Sequence, residues 1–344
     1  MGDALAAWID EHVAGLGRVW GDAFAASGYV LVARHGIPIF QRGYGLADRG
    51  RRIAPDANTR FRIASVTKQI TAVAVLQLVE AGGLDLEAPF RDIVPEYPAR
   101  TGDGIAIRHL LTHTSGIPSF TEEQDDRTWS ATRRTNADVL ARVEDKPVLF
   151  PPGAEFHYSN TNYYLLSMIV ERLSSLTYDG YLRRHVFGPA GMTRSSATER
   201  AGEDGDAVGY KLDLDDRLVP ADPIDLSVPF GAGGVRSTAN DLLLWQRALY
   251  TGTTLLTEAS RRKMLTPFRD GYGFGIGHGV IGGHTVYQHG GAIHGFGSAL
   301  CRVEDLAVDV IVLFNLEGIG AGVPSRIVEM IVHGEPVPAP GSKR

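Results

Sequence analysis

The sequence predicts a mixed α/β (α+β) fold: one antiparallel sheet flanked by helices, with an all-helical lobe inserted between its first and last strands. Three observations predict it. Strand-like runs sit near both ends of the chain, within residues 29–44 and 285–313. Between Leu84 and Val228 the texture is of helices broken by Pro and Gly, with few β-branched runs. Within each end the strands follow one another across short turns, which antiparallel pairing allows and parallel pairing does not.

Residues 2–16 place Leu5, Trp8, Ile9 and Val13 on one stripe, the spacing of an amphipathic helix. Residues 29–33 and 37–44 are β-rich runs around His35-Gly36, a hairpin signal. After Asp56-Ala57-Asn58, a short apolar run over 61–64 leads into a helix beginning at Ser65. That helix carries Ile70, Val73, Leu76, Leu78 and Val79 and stops at Gly82-Gly83, a glycine C-cap. Further helices are expected at 107–111, 137–143, 163–173 and 178–186. A helix over 239–249 then precedes strands at 271–280, 285–289, 297–302 and 307–313, and a last helix holds Ile327, Met330 and Ile331. Residues 1–83 and 230–335 are thus expected to form the α/β lobe, residues 84–229 the helical lobe, and 1–344 a single domain without repeats or low-complexity linkers.

Composition narrows the function. The chain has 344 residues, 44% hydrophobic and 22% charged, with 34 Lys+Arg against 40 Asp+Glu and a net charge of -6. These are values of a soluble globular protein, which excludes disordered, collagen-like and coiled-coil classes. Mild acidity offers no basic face for nucleic acid or an anionic membrane. Cys301 is the one cysteine, so no internal disulfide or multi-cysteine metal site is available. Apolar runs such as 72–76 fall far short of the roughly 20 residues a membrane span needs. The start of the chain lacks a basic and apolar leader pattern. As it stands the chain is expected to be cytoplasmic; a leader already removed would place it in the periplasm or outside the cell. Oligomeric state is left open.

Several common signatures are absent: no G-x-S-x-G elbow, no P-loop and no H-E-x-x-H. Gly277 to Gly282 spells G-x-G-x-x-G, but a strand-like run follows it instead of a helix, so no dinucleotide is implied. His284, His289 and His294 lack carboxylate partners at metal-ligand spacing. No cofactor and no metal are expected; the partner is a small-molecule substrate.

The chemistry begins at Ser65-Val66-Thr67-Lys68. Three residues apart on a helix, two side chains share a face, so an amine lies one turn from a hydroxyl. The helix is strongly apolar, which would bury Lys68, lower its pKa and make it a base for Ser65. A second pair, Ser260 and Lys263, sits among Arg261 and Arg262 and reads as a surface helix. Tyr158-Ser159-Asn160 follows Pro151-Pro152-Gly153 and precedes an apolar helix, placing a phenol and an amide at a helix start. There a nearby lysine cation would lower the phenol's pKa and let it shuttle protons. His289-Gly290-Gly291 ends a strand-like run. A glycine there leaves room along the strand edge, and the N–H of Ala292 is free to face an oxyanion.

In this order the three elements resemble the motifs of the serine β-lactamase and penicillin-binding-protein superfamily, whose mark is S-x-x-K. The likeness is closest to its class C-like branch: class C β-lactamases, D-specific carboxy- and aminopeptidases, and family VIII esterases. Supporting runs are Leu110-Leu111-Thr112-His113-Thr114-Ser115-Gly116 and Gly233-Gly234-Val235-Arg236-Ser237-Thr238-Ala239. The resemblance covers about residues 20 to 335 and implies a β-lactamase/transpeptidase-like fold. It implies Ser65 as nucleophile, Lys68 and Tyr158 as its coupled base, and Ser65 and Ala292 N–H groups as the oxyanion hole. It also implies that Asn160 bonds Lys68 or the substrate, and that His289 and Gly291 support the substrate.

One departure stands out. His289 occupies the place where typical β-lactamases carry the lysine of K-T-G, and a neutral imidazole is no fixed cation for a penicillin carboxylate. Ester or small-amide hydrolysis is therefore expected ahead of β-lactamase activity, with a D-amino-acid-specific peptidase as the alternative and a non-turnover penicillin sensor behind it. His113 and Ser115 are expected to fix a turn, His157 to line the site or pack beside it, and Trp129 to border the cleft. The charged run from Glu122 to Arg127 is expected to be a solvated loop.

Overall fold

The computed structural model describes residues 2–19, 26–122, 127–198, 205–319 and 322–333. Its strands are β1 (Gly28–Arg34), β2 (Ile37–Tyr44), β3 (Phe61–Arg62), β4 (Tyr210–Leu212), β5 (Leu218–Pro220), β6 (Arg236–Ser237), β7 (Gly277–Ile281), β8 (His284–Ile293), β9 (Phe296–Val303) and β10 (Val308–Phe314). Six of them make one antiparallel sheet in the order β2-β1-β10-β9-β8-β7. The ends of the chain meet where β1 pairs with β10, from Gly28 opposite Phe314 to Arg34 opposite Val308.

The sheet is covered on both faces, which explains why β1 is apolar throughout instead of alternating. Tyr29, Leu31 and Ala33 face a core that also holds Ile70, Val73 and Trp245. Those residues come from α2 (Thr67–Glu80) and α5 (Ala239–Tyr250). Val30 and Val32 face the opposite core, with Trp8 and Ile9 of α1 (Gly2–Val19) and Ile327 of α6 (Val323–His333). The helices α3 (Ile107–Leu111) and α4 (Asn160–Ser174) belong to the lobe between the two halves of the sheet. At the first hairpin, His35 and Gly36 take left-handed φ of 51° and 72°, the backbone a two-residue turn demands.

Two expectations are corrected. The inserted lobe is not wholly helical, because β4 and β5 form a hairpin inside it. The strand expected over 271–280 begins only at Gly277. Gly271 and Gly275 ahead of it are left-handed, at φ 69° each, and a side-chain carbon on Gly275 would stand 2.6 Å from the Lys68 carbonyl. The segment is bent close against α2 and makes only isolated bridges, such as Tyr272 with Gly277, instead of a continuous strand. Trp20, the charged residues 123–126 and the chain end beyond 333 lie outside the described residues.

Candidate active site

The Ser65 hydroxyl is presented by a short distortion in the backbone. After β3 the chain passes through Ala64 at φ 46°, a left-handed conformation that costs an alanine roughly 1–2 kcal/mol. A single 3-10 turn, Ala64–Val66, then runs straight into α2. The turn is pinned from both sides: Ile63 N donates to Val235 O at 3.0 Å, and Ser298 Oγ donates to Ile63 O at 2.7 Å. Ser65 is left partly exposed and Lys68, one turn on, is completely buried.

Lys68 Nζ lies 3.0 Å from Ser65 Oγ and donates to Asn160 Oδ1 at 2.8 Å and Ala232 O at 2.7 Å. A hydroxyl, an amide and a carbonyl are all neutral partners. With no carboxylate to hold the charge, desolvation pushes the amine well below the ordinary lysine pKa. The acceptor carbonyl of Ala232 sits two residues after Phe230, itself at φ 36°. Left-handed residues thus shape the backbone on both sides of the amine.

The Tyr158 ring centroid lies 4.7 Å from Lys68 Nζ. The lysine was expected to lower this phenol's pKa; instead burial pushes it up, partly opposed by a hydrogen bond from Ser65. The physical reason is desolvation: the phenolate loses its water when buried, and the Ser65 hydrogen bond recovers only part of that loss. At neutral pH the pair therefore holds a protonated phenol beside an amine driven toward its neutral form.

Asn160 opens α4, turns its Oδ1 to Lys68, and donates from Nδ2 to Thr121 Oγ1 at 2.9 Å. Of the two partners expected for it, the lysine is the one it meets. Ala292 lies on β8 beyond Gln288, where β7 stops pairing and leaves one strand edge open. Ser65, Asn160 and Ala292 line one crevice of about 340 Å³, together with Phe120, Val228 and His294. Among the described residues no lysine, arginine, aspartate or glutamate lines it.

Gly291 answers to a different neighbour than expected. A side-chain carbon there would stand 2.5 Å from Ile63 O, 2.6 Å from Ser298 Oγ and 2.9 Å from Ser65 N, so the glycine makes room for the nucleophile turn. Gly291→Ala is accordingly expected to destabilise the fold by about 1–3 kcal/mol and to lower ester turnover. A urea melt read beside the hydrolysis rate checks both.

His289 also differs. Its ring is buried and does not line the crevice. Nδ1 lies 2.6 Å from Gly290 O and Nε2 lies 2.9 Å from Tyr272 OH. A carbonyl only accepts, so Nδ1 carries the proton and Nε2 accepts from the tyrosine. Burial and the nearby Lys68 push the ring down to about 4, so it is neutral at pH 7. Expected as a substrate contact, it bonds Tyr272, with its ring centroid 6.2 Å from that of Tyr158.

The remaining readings resolve simply. Ser260 and Lys263 lie on a surface helix, Glu258–Leu265. The G-x-G-x-x-G run is β7 and its turn. Trp129 sits between Arg134 and Arg142 and does not line the crevice. His157 bonds Glu122 at 2.8 Å on the rim. Ala232, Tyr163 and Tyr272 were not anticipated; Tyr163 places its ring centroid 5.7 Å from Lys68 Nζ. Among the described residues no group of three or more metal-ligating side chains converges, and no helix is long and apolar enough to cross a membrane.

A two-faced antiparallel sheet carrying a Ser-x-x-Lys turn beneath a helical lobe defines a protein of the β-lactamase/transpeptidase-like superfamily. Residues 5–333 match the family model described as Beta-lactamase. The chain belongs to that family, one of serine hydrolases. It is 33% identical over 264 residues to the putative penicillin-binding protein PbpX of Bacillus subtilis, covering 76% of this chain and 64% of that protein. It is 28% identical over 306 residues to a D-aminopeptidase of Gluconobacter oxydans, covering 84% and 55%. The chain thus spans less than two thirds of the length of either relative. Among solved structures, a penicillin-binding protein from Bacillus halodurans superposes with a TM-score of 0.77 at 31% identity, over 94% of this chain and 99% of that one.

Proposed function

We propose that the protein is a serine hydrolase that forms an acyl-enzyme on Ser65 and cleaves small neutral esters or amides. The observation that carries this reading is Lys68: buried, without a carboxylate among its partners, and 3.0 Å from the Ser65 hydroxyl. A neutral amine so placed takes the Ser65 proton as Oγ bonds to the substrate carbonyl carbon. The carbonyl electron pair moves to oxygen, where the N–H groups of Ser65 and Ala292 receive it, each worth about 3–4 kcal/mol. The proton then passes from Lys68 through the Tyr158 phenol to the leaving group as its bond to carbon breaks. Water repeats the sequence in reverse roles, giving its proton to the same pair and releasing the acid from Ser65. Asn160 and Ala232 hold the amine in register.

The substrate class follows from what lines the crevice. A β-lactam or peptide carboxylate needs a cation, and a free substrate amine needs a carboxylate. Among the described residues neither lines the crevice, and His289 is neutral. The D-aminopeptidase relative favours a second reading, a D-amino-acid-specific peptidase. A panel of p-nitrophenyl butyrate, D-alanine p-nitroanilide and nitrocefin separates them. Steady ester turnover about tenfold or more above the other two is expected. Nitrocefin or the anilide leading the panel would overturn the neutral-substrate reading, and a stoichiometric burst without steady state would mark a penicillin sensor.

A further inference from the structure

We propose that His113 is a positioning residue for Tyr158, holding its phenol over Ser65 and Lys68; the inference rests on the acyl-transfer reading of that site. His113 follows α3 in a left-handed conformation, φ 55°, and is completely buried. Its backbone carbonyl accepts the N–H of His157 at 2.9 Å, and its ring Nδ1 accepts the N–H of Ser159 at 3.1 Å. Those two amides flank Tyr158. The imidazole itself lies against the Tyr158 ring, with centroids 4.3 Å apart and planes at 34°. One residue thus grips the phenol's chain on both sides and supports its ring.

The tautomer follows from the partners. A backbone N–H only donates, so Nδ1 is the unprotonated nitrogen and Nε2 carries the hydrogen. The Asn162 amide nitrogen, 3.2 Å from the same Nδ1, agrees, since its oxygen takes the Ser115 hydroxyl at 2.6 Å. Nε2 finds no hydrogen-bond partner among the described residues and sits amid the rings of Tyr163 and Tyr272. A turn alone would not require this, because Gly or Asn closes a left-handed helix end without burying an unpaired N–H. What His adds is a ring with an acceptor on one edge. Burial keeps that ring neutral.

Two substitutions separate the contacts. His113→Asn keeps the left-handed backbone and an acceptor for Ser159 but removes the ring; His113→Phe keeps a ring and removes the acceptor. Each is expected to lower kcat roughly 10- to 100-fold with KM within about twofold, as small misplacements of a catalytic group do. The acid limb of kcat/KM should move to higher pH, because a displaced Tyr158 admits water to Lys68. In a Tyr158→Phe background the same substitutions should cost little more, the non-additivity of residues acting as one unit. Unchanged kcat and an unmoved acid limb, with only the melting temperature lowered, would overturn the inference, as would full additivity with Tyr158→Phe. The smaller change, His113→Asn, decides if His113→Phe does not fold. Absent wild-type turnover, or turnover that survives in Ser65→Ala, would instead sink the acyl-transfer reading.

Discussion

Ser65→Ala is expected to cut turnover of p-nitrophenyl butyrate by on the order of 10⁴-fold or more, the loss seen when a nucleophile is removed from a unit that works as one. The fold should survive it. Ser65 is partly exposed, its Oγ bonds Lys68 and Tyr158, and the turn is pinned at Ile63, by its own N–H to Val235 O and by the Ser298 hydroxyl to its carbonyl, without the Ser65 side chain. Melting within a few degrees of wild type is therefore expected, since a part-buried hydrogen bond is worth about 1 kcal/mol. The nearest rival hydroxyl in sequence to the phenol is Ser159, which is completely buried and whose Oγ has no hydrogen-bond partner among the described residues. It has no path to a substrate. Steady-state kinetics on the purified variant, with its melting curve, checks the expectation.

Lys68→Met should be equally damaging to turnover and more revealing about the amine. Methionine fills similar volume without charge, so the buried site keeps its packing while losing the base. Its effect on stability has a definite sign. Folding lowers the pKa of Lys68 from the ordinary value near 10.5. Between the folded and unfolded values the unfolded chain binds a proton that the folded chain lacks, so wild-type stability rises with pH across that window. The penalty is full below the folded value and gone above the unfolded one. The variant removes this titration, while the donor lost to Asn160 Oδ1 and Ala232 O is a constant offset. Wild type minus variant should therefore climb with pH toward 10, by at most about 1.4 kcal/mol per unit. Urea melts of both proteins from pH 6 to 10 measure the slope; a flat difference would mean an amine that folds charged.

What the sequence made visible was whatever is local in the chain. Ser65 and Lys68 are three residues apart, and a helix converts that spacing into contact without help from the rest of the fold. Tyr158 and Asn160 could be placed at a helix start by the Pro-Gly turn before them and the apolar run after. The sheet was visible from the hairpin signal at His35-Gly36 and the short turns between strand-like runs. The unread parts are those fixed by distant partners. Ala232 supplies Lys68 with an acceptor 164 positions away, through a carbonyl that any residue would carry. His289 was read from its neighbours in sequence, yet its orientation is set by Tyr272, 17 residues earlier. The closeness of Ile63 and Ser65 to Gly291 was not read, because it is a tertiary contact. His113 lay within a run that matched the family, and only its grip on either side of Tyr158 tells a turn residue from a support.

The central claim is a covalent one: Ser65 Oγ carries the acyl group between two chemical steps. Rapid acid quench of the enzyme with p-nitrophenyl butyrate, followed by intact mass and peptide mapping, reads it directly. One butyryl group per chain, located on the peptide that contains Ser65 and absent from Ser65→Ala, is the expected result. An adduct on another residue, or steady turnover whose acyl group exchanges with water without ever residing on the protein, would contradict it.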